Sequence, residues 1–166
     1  MIFMLLWTVA GQAQDRPPHH DGFIAGQTVA IGGALASTTV GTFVVAYPWE
    51  TDHAPYITLG VSDLLAPVGP FGALSSAIAV RNAGGWVSIT PAALGIFATS
   101  LPLVGLALTL TDVGRVPLVV SAIASPIVSL LTTAVQVGMN QYEWDRVRWF
   151  HRSRETENQV IVRFQF

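Results

Sequence analysis

With 166 residues the chain has the length of one domain. Hydrophobic residues make up 51% and charged residues only 11%, against about a quarter charged in a soluble domain, and the mean hydropathy is +0.52, so an ordinary soluble protein is excluded. A net charge of -2 implies no nucleic-acid partner, and the absence of cysteine removes disulfides, thiolate metal sites and a cysteine nucleophile.

Residues 1–13, MIFMLLWTVAGQA, form an apolar run ending in small residues. The run is too short to span a bilayer and is similar to the core of a signal peptide, with Gly11 and Ala13 placed for a cut before Gln14. It lacks a basic start, so an uncleaved anchor is the alternative. Residues 14–22 read as a polar linker, with Pro17 and Pro18 blocking a helix. His19, His20 and Asp21 carry metal-ligating groups, but adjacent histidines in an extended segment point in opposite directions. A solvated linker without a metal is expected.

A membrane domain is expected over residues 23–139. Its first apolar run, Phe23 to Tyr47, carries Gly26, Ala30, Gly33, Ser37 and Gly41 at helical spacing. Small residues four apart let helix backbones approach closely in lipid, so this face is expected to pack against a copy of the chain or a partner. Pro48-Trp49 ends the run, and Tyr47 and Trp49 suit a bilayer interface.

A short acidic loop leads to the second apolar run, Tyr56 to Val80, which is broken. Pro67, Gly69 and Pro70 form a break or hinge: two prolines remove two backbone donors within four residues. Two half-segments are expected, Tyr56 to Ala66 and Phe71 to Val80. Asp63 lies in the first half and is the one carboxylate well inside an apolar run. An ionisable group at membrane depth is expensive and marks a functional candidate. The plainer reading makes Ser62-Asp63 a cap on a short helix near the interface.

Residues 81–85, RNAGG, read as a turn. Thr90-Pro91 has the form of an N-cap followed by proline at the first helical position. Two long runs follow, Pro91 to Thr111 and Val116 to Met139, neither with a charged residue. Each meets the roughly 20 apolar residues needed to cross a bilayer as a helix, so the pair reads as a transmembrane hairpin. Pro102 and Pro126 are placed to kink them, and Gln136 and Asn140 mark the exit.

Residues 140–166 form a surface tail rich in arginine and aromatics. Trp144, Arg146, Arg148, Arg152 and Arg154 are expected at the membrane surface, where such a segment binds anionic headgroups. The end, NQVIVRFQF, alternates with a strand period, so a β-hairpin competes with a helix there.

The fold expected is therefore an all-α membrane protein with four apolar transmembrane segments. Arg16, Arg81 and the five arginines of the tail fall on one side and Arg115 on the other, which places the shared side in the cytoplasm of a bacterial inner membrane. A cleaved leader would put Gln14 on the opposite side. That conflict keeps a second architecture open. A terminal Phe166 on an alternating segment resembles the ending of bacterial outer-membrane barrels, and the resemblance covers only Val160 to Phe166. It implies an outer-membrane β-barrel, and eight strands would fit the length of the chain. The apolar runs do not alternate as barrel strands should, and their prolines would interrupt the ladders.

No phosphate loop, dinucleotide fingerprint, metalloprotease motif or nucleophile elbow is present. The leading functional expectation is a non-catalytic structural or assembly subunit in the lipid bilayer, without a cofactor, joined to copies or a partner through the small-residue faces. The alternative is a small transporter or channel component using the broken segment and Asp63.

Overall fold

A computed structural model describes residues 19–46, 61–109 and 116–163, and these are helical almost throughout. Helix α1 is His20–Ala46, α2 is Val68–Asn82, α3 is Thr90–Thr109 and α4 is Val116–Arg163. Residues 61–65 form a further helical turn before α2. Among the described residues there is no strand, so the eight-stranded alternative does not form. The physical reason lies in the runs themselves, which are rich in Ala and Leu and carry no period-2 alternation over a strand's length. Among the described residues three stretches are long and apolar enough to cross a membrane: His20–Phe43, Val61–Asn82 and Ile123–Arg154. The leader, the loop after α1 and the α3–α4 connection lie outside the described residues, as do Tyr47, Trp49 and Phe166.

Residue pairings fix the topology. Gly26 lies against Ser76, Gly33 against Gly69 and Gly72 against Ala30, so α1 and α2 are antiparallel. Ala92 bonds Gln136 and Gly95 lies against Thr132, so α3 and α4 are antiparallel. Ala66 meets Ser129, Ala73 meets Asn140, and Gly85, just past α2, meets Val147, so α2 and α4 run parallel. Helices α2 and α4 form the centre, with α1 and α3 on their flanks.

Helices α1 and α2 meet by close backbone approach. A Cβ on Gly26 would lie 2.9 Å from the Ser76 Cα, and one on Gly33 would lie 2.7 Å from the Gly69 nitrogen. Large side chains turn outward instead: Val29, Ile31, Leu35 and Phe43 on α1, Phe71 and Ile78 on α2, Leu94 and Phe97 on α3. Small inside and bulky outside is the pattern of helices that pack by close backbone approach in lipid.

Helix α2 ends where the sequence places a turn. The Gly85 amide donates to the Val80 carbonyl and the Gly84 amide to Arg81, which is a Schellman closure. Gly84 has φ +88°, a left-handed conformation that a side chain would strain. The Arg81 Nε donates to the Val87 carbonyl at 2.9 Å and pins the following loop.

Helix α3 opens one residue earlier than the Thr90 cap implies. The Ala93 amide bonds the Ile89 carbonyl, so Ile89 holds the cap position and Pro91 still sits in the first turn, where its missing donor costs little. Both α3 and α4 continue through their internal prolines, Pro102 and Pro126.

The tail differs from the hairpin expectation. Helix α4 runs unbroken for 48 residues to Arg163, about 72 Å at 1.5 Å per residue and more than twice the hydrocarbon thickness. After Pro126 no proline occurs and only Gly138 interrupts the run, so nothing stops the helix at residue 139. Likewise the polar linker gives way to helix at His20 rather than at Phe23.

Candidate functional site

The break in the second apolar run is shorter than the sequence implies. Only Ala66 and Pro67 leave the helix, and α2 resumes at Val68 rather than Phe71. Pro67 is the N-cap with φ -73° and ψ -16°, and Pro70 falls in the first turn. Amides there have no intrahelical acceptor, so proline is tolerated. The cost falls on the carbonyl of Ala66, four residues before Pro70, which has no helical N–H to accept. Ser129 on α4 supplies the missing donor through its Oγ.

Polar side chains from three helices gather around this break. The Ser37 Oγ of α1 lies 3.5 Å from the Ser62 carbonyl. Ser125, Ser129 and Thr133 come from α4, and all are buried. Because α2 and α4 run parallel and Ala66 meets Ser129, Ser62 and Ser125 stand one turn away at matching level. The hydroxyls of Ser62, Ser125 and Thr133 are buried without a hydrogen-bond partner among the described residues. Gly69 does not act as a point of freedom. A Cβ there would sit 2.8 Å from the Thr133 Oγ1 and 3.1 Å from the Ala34 nitrogen, so it is a point of close approach.

Asp63 is 0% exposed, within the helical turn of residues 61–65. Its side chain is enclosed by protein. Asp63 precedes Arg81 by 18 residues, roughly 27 Å of helix rise. Arg81, Arg146, Arg148, Arg152 and Arg154 all belong to the opposite end of the bundle.

A second polar cluster lies between α2, α3 and α4, centred on Gln136 and Asn140, both 0% exposed. The Gln136 Nε2 donates to the Ser88 carbonyl and to the Asn140 Oδ1, each at 2.8 Å. Its Oε1 accepts from the Ala92 amide at 3.1 Å. The Asn140 Nδ2 donates to the Ala73 carbonyl at 2.8 Å and to the Ser76 Oγ at 2.6 Å. Gln136 thus caps α3 from a helix 44 residues away in sequence. The two amides tie three helices together. Their i, i+4 spacing, continuing the buried Ser125-Ser129-Thr133 line, is the signal that reveals them.

The remaining sequence candidates divide. Gly26, Ala30, Gly33, Ser37 and Gly41 are all buried. The described contacts of Gly26, Ala30 and Gly33 are to α2 of the same chain. Trp144 is not at the surface. It is 1% exposed, stacked on Phe23 with ring centroids 4.4 Å apart, with Val80, Ala83 and Val147 around it. Position 144 continues the inward stripe of α4, which is why its ring enters the core. Arg146 is exposed and pairs with Glu143 at 3.5 Å, and Arg148 pairs with Asp145 at 3.8 Å. Such surface pairs contribute little to stability. Arg152 and Arg154 are exposed.

Comparison with protein-family models, with curated proteins and with solved structures gives no match.

Proposed function

We propose that the chain is a four-span helical membrane protein acting as a non-catalytic structural or assembly subunit. The observation that carries this reading is the use made of buried polar groups. Ser129, Gln136 and Asn140 spend their hydrogen bonds on joining helices, as polar side chains do in membrane bundles. Because the glycine face of α1 meets α2, association with a copy or a partner would use the outward Val, Ile, Leu and Phe side chains. The end bearing Arg81 and Arg146 to Arg154 would face the cytoplasm of an inner membrane under the positive-inside rule. Molar-mass measurement by light scattering in mild detergent tests the role. A defined oligomer supports it, and a monodisperse monomer counts against it.

A second reading is favoured by the burial of Asp63 in the broken segment, where the hydroxyls of Ser62, Ser125 and Thr133 are also buried. Oxygen-rich broken segments at membrane depth serve as cation sites in transporters. Under this reading Asp63→Asn abolishes cation flux in reconstituted vesicles while the helical fold is kept. Unchanged flux in that variant removes the transport reading.

A further inference from the structure

At the arginine-rich end a cleft of about 290 Å³ opens between the close of α2 and the outer part of α4. Ala83 and Gly84 form one wall; Val147, Phe150, His151 and Arg154 form the other. The α4 residues are spaced i, i+3, i+4, i+7, so they share one helical face. Ala83 and Val147 are buried and make an apolar floor, while His151 and Arg154 are exposed at the rim. Among the described residues no carboxylate lines the cleft and Arg154 enters no ion pair. Its neighbours Arg146 and Arg148 do pair, with Glu143 and Asp145.

The surroundings specify the kind of anion. Trp86 in the α2–α3 loop is 77% exposed, and Tyr142, Trp149 and Phe150 are also exposed around this end. Exposed Trp and Tyr at the end of membrane-length helices belong at headgroup depth. A basic rim over an apolar floor, at that depth, is complementary to a phosphodiester with its glycerol and first acyl carbons.

We infer that this cleft binds the headgroup phosphate of an anionic glycerophospholipid. Arg154 donates charge-assisted hydrogen bonds to the phosphate, His151 donates a further N–H, and Phe150 and Val147 cover the glycerol backbone. The inference rests on the membrane reading of the helices.

The test uses the full chain in mild detergent with dioleoyl phosphatidylglycerol or dioleoyl phosphatidylcholine added, and native mass spectrometry counts retained lipid. The wild type retains phosphatidylglycerol preferentially. The pair H151Q/R154Q weakens that preference about tenfold, the loss expected for one or two charge-assisted bonds. The pair R146Q/R148Q removes two arginines outside the cleft and keeps the preference. Equal retention of both lipids by the wild type overturns the proposal, as does equal loss in the two paired variants. Displacement of phosphatidylglycerol by inorganic phosphate at comparable concentration also overturns it, by assigning the cleft to a free anion. Carbonate extraction of proteoliposomes is read alongside. A wild type that is extracted overturns the membrane reading itself, whereas a retained wild type without lipid preference overturns the cleft alone.

Discussion

Ser129 on α4 donates its hydroxyl to the carbonyl of Ala66, the carbonyl that Pro70 leaves without a helical donor. A proline on one helix is thereby answered by a serine on another, 63 residues later in the chain. In lipid no water can take that place, so the broken segment and α4 are coupled by the break itself.

Ser129→Ala lowers stability by about 1 kcal/mol, with about 1.7 kcal/mol as the measured upper range for such bonds in a membrane bundle. Pro70→Ala restores a donor to Ala66, so Ser129→Ala in that background costs less. A double-mutant cycle by denaturant titration in mixed micelles reads the coupling. Additive costs would show that the hydroxyl and the proline act independently.

Glycines on α1 and α2 separate by sign. Gly72→Ala places a Cβ 2.8 Å from the Ala30 Cα, and the forced separation costs about 1–3 kcal/mol. Gly32→Ala meets nothing within 4 Å and gains about 0.5–1 kcal/mol from the lower freedom of alanine in the unfolded chain. Thermal unfolding of both variants in one detergent compares them, and a stabilised Gly72→Ala would refute the close contact.

Removing Asn140 strips donors from the Ala73 carbonyl and Ser76 and an acceptor from Gln136. Asn140→Ala therefore costs about 1–3 kcal/mol. Gln136→Ala falls in the same range, and the two together cost less than their sum because they share one network. Amide hydrogen exchange adds a local readout: Gln136→Ala speeds exchange at Ala92, whose amide loses its acceptor. Unchanged protection there would contradict the cap.

The tryptophans give opposite results. Trp144→Ala empties the space beside Phe23 and costs about 3–5 kcal/mol, while Trp86→Ala leaves the fold unchanged because its ring is already outside. Emission spectra follow the same division, with the Trp144 variant losing the blue-shifted component.

Much of this architecture is legible in the chain. The first apolar run gives α1 within three residues at its start and one at its end, and the proline pair marks the break after residues 61–65. The spacing of Gly26, Ala30, Gly33 and Ser37 identifies a close-packed face. It does not say which helix fills that face, because any small-residue surface would satisfy the pattern. Trp144 was legible as aromatic and amphipathic. Its burial depends on Phe23, 121 residues earlier, and no local period carries that distance. The alternation of Val160 and Val162 is a genuine strand period, but helix runs unbroken from residue 116 to 163. Extending an existing helix needs no new nucleus, so continuation wins over two turns of alternation. The role of Gln136 and Asn140 was within reach: they continue the line of Ser125, Ser129 and Thr133 on one face.

Far-UV circular dichroism of the full chain in mild detergent tests the helical bundle most directly. A strongly helical spectrum is expected, and because helix continues to residue 163, truncation after residue 139 lowers the helical signal in proportion to the residues removed. A β-dominated spectrum would contradict it and return the apolar runs to pairs of strands. A helical spectrum unchanged by the truncation would contradict the long α4.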